Sequence, residues 1–154
     1  MKKFFIYLFL LLMAATVAFA QPIPDTVEQR IRQIYEQKYP NDYSMQKTLI
    51  EDQIESYRFL ERWTFESEIP HDVFNKLKEI YAQKYPDDYS MQKTLIEDQI
   101  ESYRFLQRWT SESEIPQDVF DKLKETYAQK YPDDYSIQKT LTQDQVKSYL
   151  ELQR

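Results

Sequence analysis

Neighbouring acidic residues are the part of this sequence with the clearest chemical potential. Two places hold a pair of acids, Asp87-Asp88 and Asp133-Asp134, and the equivalent third place holds Asn41-Asp42. Two close carboxylates can hydrolyse a glycoside by acid–base chemistry or supply oxygen ligands to Ca²⁺. Each pair, however, follows a proline and precedes an apolar helical pattern, where Asp or Asn caps the first turn. The sequence therefore favours helix capping over calcium binding or catalysis.

A single histidine, His71, is the other candidate for catalysis or metal binding. The equivalent positions of two similar segments hold Asp25 and Gln117, so the position does not require an imidazole. Zinc and acid–base sites recruit several cooperating side chains, and the chain has no cysteine. The sequence predicts no catalytic residue, no metal ligand and no cofactor, and hence a protein that is not an enzyme.

Tyrosines recur at four equivalent positions in each of three segments. Spacing of four residues along a first helix suits packing on one face. A ring with a polar tip also suits a sugar or protein surface, so a ligand-binding strip remains the alternative. The four sets are Tyr35/Tyr81/Tyr127, Tyr39/Tyr85/Tyr131, Tyr43/Tyr89/Tyr135 and Tyr57/Tyr103/Tyr149.

Two Arg-Trp pairs, Arg62-Trp63 and Arg108-Trp109, lie near the ends of the predicted second helices. They can stack by a cation–π contact, or seal the junction with a following unit. The second interpretation is preferred because the last segment stops at Arg154 without a Trp. Aromatic residues and Arg dominate binding hot spots. The predicted interaction residues are therefore Tyr85, Tyr89, Arg62, Trp63, Arg108 and Trp109.

A 46-residue repeat positions all of these residues. The motif Tyr-x-Gln-Lys-Tyr-Pro begins at Tyr35, Tyr81 and Tyr127, and such a period indicates tandem structural units. We place the repeats at 23–68, 69–114 and 115–154. The segments 41–68 and 87–114 differ only at Asn41/Asp87, Glu61/Gln107 and Phe65/Ser111.

Each repeat has the pattern of a helical hairpin. Pro70 stands where a first helix begins, and Pro86 ends that helix because the residue before a proline is pushed out of the α region. Asp87-Asp88 then caps a second helix that runs to about Trp109. The chain contains no glycine, which makes turns with positive φ costly.

Differences at the start of the chain predict how the hairpins stack. Phe74 and Phe120 are replaced by Glu28 in the first repeat, which has no predecessor. Polar residues at the ends of an array and apolar ones inside it are typical of capped repeat proteins. We therefore expect Phe74 and Phe120 to pack backward, on the preceding hairpin.

Differences in the last repeat predict the forward contacts. Two apolar positions become polar there, and we expect their apolar counterparts to pack on the following hairpin. The positions are, in repeat order, Ile50, Ile96 and Thr142, and Phe59, Phe105 and Glu151. The predicted fold is all-α, with three helix-turn-helix repeats stacked as a short α-solenoid or six-helix array.

The first twenty residues have the pattern of a signal peptide. Lys2 and Lys3 precede an apolar stretch at 4–17, and Ala18-Phe19-Ala20 forms a cleavage site. The mature chain, residues 21–154, is then expected in the bacterial periplasm or outside the cell, without membrane insertion.

Removing two lysines changes the net charge from −6 to −8, which disfavours nucleic-acid partners.

The run Tyr85-Pro86-Asp87-Asp88-Tyr89-Ser90-Met91-Gln92 resembles a helical-hairpin repeat module of uncharacterised bacterial proteins. Its three copies span nearly all of the mature chain, the third with Ile137 in place of Met. The resemblance implies a hairpin and no particular chemistry. We expect an interaction module with a protein partner. The alternatives are a cell-wall glycan bound by tyrosines and acidic turns, and a carboxylate-based hydrolase.

Overall fold

The structure, a computed structural model, describes residues 23–62, 69–108 and 115–154. Within these ranges the chain folds into six packed helices and no strand, which confirms the all-α class. The expected signal peptide at 1–20 lies outside these ranges, as do Trp63 and Trp109. The helices are α1 (Asp25–Lys38), α2 (Tyr43–Arg62), α3 (His71–Lys84), α4 (Tyr89–Arg108), α5 (Gln117–Lys130) and α6 (Tyr135–Leu152).

The helix boundaries follow the prolines closely. Pro70, with φ −57°, directly precedes α3, since its fixed φ and missing N–H suit a helix start. That helix ends at Lys84, and Tyr85 leaves the helical region with φ −130° because Pro86 follows it. None of the helices in the described ranges is long and apolar enough to span a membrane.

The long helices pack side by side in chain order, α2 on α4 and α4 on α6, and each short helix packs on the long helix that follows it. The backbone of Tyr89 bonds to Gln53, and Lys93 lies over the ring of Phe59. Contacts therefore advance in the same direction along α2 and α4, so the two helices are parallel. Because α4 starts beside a residue ten positions into α2, the offset is roughly 15 Å.

Phe74 lies in the largest buried cluster, and this cluster joins α2 to α3 and α4. Leu60 of α2 shares it, so Phe74 packs backward, as predicted. Phe59 borders the same cluster, and the ammonium of Lys93 in α4 lies 4.9 Å from the centre of the Phe59 ring. Phe105 lies 5.4 Å from Lys139 of α6, which confirms forward packing for both. The cluster consists of Leu60, Ile69, Phe74, Leu77, Tyr81, Ile96 and Ile100.

Thr142 contradicts the expectation that this position of the last hairpin faces an open end. Its side chain is fully buried, and its hydroxyl has no hydrogen-bond partner among the described residues. The reason is that the position faces the short helix of its own hairpin. The equivalent Ile50 packs with Ile31 and Tyr35 of α1 in its own hairpin, in a cluster that Tyr89 of the following hairpin also borders. The position therefore stays buried whether or not another hairpin follows.

Thr142→Val is expected to raise the free energy of unfolding by about 1–2 kcal/mol, because a buried hydroxyl without a partner is costly. Valine keeps nearly the same shape and removes that hydroxyl. Urea unfolding measures the change. The control is Thr140→Val, whose exposed hydroxyl bonds the Ser136 carbonyl at 2.9 Å and whose loss should matter by less than about 0.5 kcal/mol. Equal changes in both variants would contradict the explanation.

Candidate functional site

The turn inside each hairpin is the most regular feature of the structure. In the middle hairpin the N–H of Asp88 donates to the Tyr85 carbonyl at 3.2 Å, and Pro86 holds the second position. A proline at the second position of a turn and a positive φ at the third are typical of a type II turn. The left-handed residues of the three turns are Asn41 (φ 70°), Asp87 (φ 64°) and Asp133 (φ 66°).

These turns reach positive φ without glycine, at the positions where the sequence led us to expect such a conformation to be costly. Asn and Asp adopt the left-handed region more readily than other residues with a Cβ, since their short polar side chains can bond locally. Asp87 is also held from outside the turn. Its carboxylate accepts two hydrogen bonds from Arg30 of α1, at 2.7 and 2.6 Å. This bidentate pairing raises the pKa of Arg30.

The second polar residue of each turn caps the long helix, which confirms the capping prediction. Asp88 Oδ1 accepts from the backbone N–H of Met91 at 3.1 Å. Buried Gln92 donates its amide back to the Tyr85 carbonyl at 2.8 Å, so the turn is closed from both sides. The other two caps join Asp42 to Met45 and Asp134 to Ile137.

A buried glutamine of one long helix completes the cap of the next long helix. Gln53 Oε1 accepts from the backbone N–H of Tyr89 at 2.6 Å and of Ser90 at 3.3 Å, while its Nε2 donates to Asp88 at 3.1 Å. Two N–H groups that a helix start normally leaves unpaired are thereby satisfied. Gln99 makes the same bonds to Asp134, Tyr135 and Ser136.

Tyrosine rings close the same junctions. Tyr89 meets Tyr57 edge to face with ring centres 5.1 Å apart, and Tyr135 meets Tyr103 at 5.0 Å. Burial raises the pKa of Tyr89 and of Tyr135, and the neighbouring carboxylates of Asp87 and Asp133, respectively, raise them further. Both effects disfavour the phenolate. These rings therefore act as neutral packing surfaces between long helices.

Stability is expected to fall once the pH exceeds about 10, the usual tyrosine pKa. A raised pKa in the folded chain means that the unfolded chain releases phenolic protons first, so rising pH favours unfolding. The stability that the neutral tyrosines contribute is fully present below a pH of about 10, and it is lost as the pH rises past the tyrosine pKa values of the folded chain. Burial is the main cause of the raised pKa at Tyr35, Tyr57, Tyr81, Tyr89, Tyr103 and Tyr135.

Thermal unfolding followed from neutral to strongly alkaline pH measures this dependence. Tyr103→Phe removes the phenol of one half-buried ring whose pKa is raised by burial, and it should flatten the alkaline decline. Tyr43→Phe, at an exposed ring, is the control and should leave the decline unchanged. A melting temperature that stays constant above pH of about 10 would contradict the role of the buried tyrosines.

Two of the predicted interaction residues, Tyr85 and Tyr89, lie together at one turn. Both are half-buried and pack against the Phe74 cluster. Lys84 covers part of the Tyr85 ring, with its ammonium 5.5 Å from the ring centre. The two tyrosines therefore contribute mainly to packing, and only part of each ring faces solvent.

The other predicted residues belong to the opposite ends of the long helices. Arg62 and Arg108 are exposed as the last residues of α2 and α4. Trp63 and Trp109 follow directly and lie outside the described residues. The structure therefore does not join the Arg residues to the turn that holds Tyr85 and Tyr89.

The histidine and the carboxylates have local partners. His71 is exposed, with Nδ1 3.0 Å from the amide of Asn75. Asp88 is engaged by Gln53 and by the first turn of α4. In the ranges that the structure describes, no three His, Asp or Glu side chains lie close enough together to hold a metal ion.

Sequence reasoning missed a repeated apolar position on the surface. Met45, Met91 and Ile137 are 42%, 42% and 40% exposed, each in the first turn of a long helix. An exposed proline belongs to each preceding turn: Pro40, Pro86 and Pro132. We call these three Pro and Met/Ile pairs the turn-edge spots. The signal was an apolar residue that recurs every 46 positions outside the buried stripe.

The turn-edge spots are separate rather than continuous. Consecutive long helices are offset by roughly 15 Å along their axes, and packed helices lie about 8–10 Å apart. Successive spots are therefore roughly 18 Å apart. Such an arrangement can contact an extended partner at several regularly spaced points.

No known protein family, curated protein or solved structure matches this chain. The function has to be argued from the surface itself, since a helical fold alone does not determine it.

Proposed function

We propose that this chain is an exported, non-catalytic helical repeat protein that binds another protein in the bacterial envelope or outside the cell. Residues 1–20 act as a cleaved signal peptide in this proposal. The hairpins 23–68, 69–114 and 115–154 stack as a short α-solenoid. The parallel offset of the long helices and the bonds from Gln53 and Gln99 to the following helix support the stack.

The turn-edge spots are the observation that carries the proposal. They place an apolar side chain at the same exposed position of α2, α4 and α6. Methionine is unbranched and polarisable, and it adapts to varied partner surfaces. One spot is too small for stable binding, but three spots engaged by a single partner give avidity. A protein with an extended segment, and apolar residues spaced roughly 18 Å apart, fits this surface.

Charge supports a protein partner over a polyanion. A net charge of −6, or −8 without Lys2 and Lys3, opposes binding to nucleic-acid phosphates and to anionic lipid. Extended repeat surfaces characteristically bind other proteins along one face. The partner is therefore expected to be neutral or basic around its apolar contacts.

A cell-wall glycan is the second candidate partner, and exposure of Tyr43 favours it. That ring is 74% exposed, and an open tyrosine face suits a sugar ring. The equivalent rings of Tyr89 and Tyr135 are covered at the junctions, so only one such ring is open among the three equivalents. Glycan retention that depends on Tyr43 would favour this candidate over the protein partner.

A triple variant tests the proposal: Met45→Ser, Met91→Ser and Ile137→Ser. The exported wild-type chain is used to capture partners from the native envelope fraction, and the affinity of each captured protein is then measured. We expect binding to weaken stepwise with each substitution and by at least about 100-fold in the triple variant, because avidity is lost. N-terminal sequencing of the exported chain should begin at Gln21.

The matched control substitutes three exposed glutamines of the short helices: Gln37→Ser, Gln83→Ser and Gln129→Ser. This control should bind the partner like the wild type. Equal binding by both triple variants, or a chain retained at its full length in the cytoplasm, would contradict the proposal.

A further inference from the structure

The two ends of the row of long helices carry matching halves of the junction that joins α2 to α4 and α4 to α6. We infer that a second copy of this chain docks head to tail, with the start of its α2 against the end of α6. This inference goes beyond the proposed partner surface, although both rest on the stacking of long helices. Its template is the pair of internal junctions.

The glutamine of the internal junction has an exposed counterpart at the end of the row. Gln145 occupies in α6 the position that Gln53 has in α2, and it is exposed. At the other end, Asp42 and Tyr43 occupy the positions of Asp88 and Tyr89. In the described ranges no glutamine caps Tyr43 in this way. A second copy would therefore bring a helix start that has its Asp42 cap but no capping glutamine to a free glutamine amide.

The tyrosine contact is likewise available at both ends. Tyr57 and Tyr103 each meet a tyrosine of the following long helix in an edge-to-face contact. Their counterpart in α6 is Tyr149, and the ring that would meet it is Tyr43, which is 74% exposed. Leu152 adds apolar surface, because it is 85% exposed whereas its equivalents Leu60 and Leu106 are buried.

Charges at the free ends are complementary at one position. Inside the row, Lys93 lies over Phe59 and Lys139 over Phe105. At the two ends the same pair of positions holds Lys47 and Glu151, which attract each other. Lys47 also lines a groove of about 210 Å³ at the start of the row, and Glu151 lines one of about 380 Å³ at its end.

Two substitutions make this docking weaker than the internal junctions. Inside the row, Glu101 forms an ion pair with Lys139 at 3.2 Å. At the end of the row Lys147 stands in the position of Glu101, so it repels Lys47 of the second copy, which stands in the position of Lys139. Glu28 replaces the buried Phe74. Association is therefore expected at high protein concentration only. Because the two surfaces differ, the contact is heterologous and extends into open chains rather than closing as a dimer.

Sedimentation of the purified exported chain, over protein concentrations from about 1 µM to about 1 mM, tests this inference. The average mass should rise continuously with concentration. Lys147→Glu combined with Glu151→Phe rebuilds the internal junction surface and should strengthen association at least tenfold. Gln145→Ala should weaken association several-fold. These positions are exposed, so both variants should keep their fold.

Three results would overturn the inference. The first is that both the wild-type chain and the variant with Lys147→Glu and Glu151→Phe remain monomeric. The second is a mass that stops at a closed dimer. The third is association that ignores Gln145→Ala. The turn-edge triple variant separates this inference from the proposed function, because it should associate like the wild type even if no partner binds the turn-edge spots.

Discussion

Phe74→Ala is expected to lower the free energy of unfolding by about 3–5 kcal/mol. The side chain is fully buried in a cluster that includes Leu60 of α2 and Ile96 of α4. Its removal leaves a cavity where three helices meet, and close-packed neighbours fill such a cavity only partly. Urea unfolding followed by circular dichroism measures the loss.

The matched control is Glu28→Ala, at the equivalent position of α1. Glu28 is partly exposed, and its carboxylate accepts from Arg32 at 2.9 and 2.6 Å. A surface pair one helical turn apart contributes about 0.3–0.5 kcal/mol, so the control should lose about that much. Comparable losses at the two positions would show that Phe74 does not join the hairpins.

Gln99→Ala is expected to lower the free energy of unfolding by about 2–4 kcal/mol, since each buried polar group left without a partner costs about 1–3 kcal/mol. Two backbone N–H groups lose their acceptor, at Tyr135 and Ser136, and Asp134 loses a donor. Water entering the junction would offset part of the loss. The same urea experiment measures it.

Gln145→Ala is the control for this prediction, because Gln145 has the same sequence position in α6 and is exposed. At low protein concentration its effect should stay below about 0.5 kcal/mol. If Gln99→Ala were as mild as Gln145→Ala, the glutamine bonds between long helices would not contribute to the fold.

The helices and their caps follow directly from the sequence because their causes are local. Pro86 excludes the helical conformation from Tyr85, and Asp88 supplies the acceptor that a helix start requires. The contacts of Phe74 and Phe59 could also be predicted. The first and last repeats have polar residues where the other repeats have these apolar ones, and this difference indicates which positions lie between hairpins. Differences between copies carry information that one copy lacks.

Features that depend on the orientation of helices were not predictable in the same way. Thr142 looks like an end position in the sequence, yet it is fully buried, and its equivalent Ile50 packs with residues of the short helix α1. Gln99 recurs among apolar residues, but its three bonds depend on the roughly 15 Å offset between parallel helices, which no periodicity reports. The turn-edge spots were missed because Met91 lies outside the apolar stripe, and the candidate set was chosen from Tyr, Trp and Arg.

Amide hydrogen exchange at Tyr43, Tyr89 and Tyr135 is the most direct test of the stacked arrangement. The three amides start equivalent helices in nearly identical local sequences, but among the described residues only the amides of Tyr89 and Tyr135 are bonded by a glutamine of the preceding long helix. They should exchange at least about tenfold more slowly than Tyr43, and Gln99→Ala should release Tyr135 alone. Equal exchange at all three amides would contradict the stacking of the long helices.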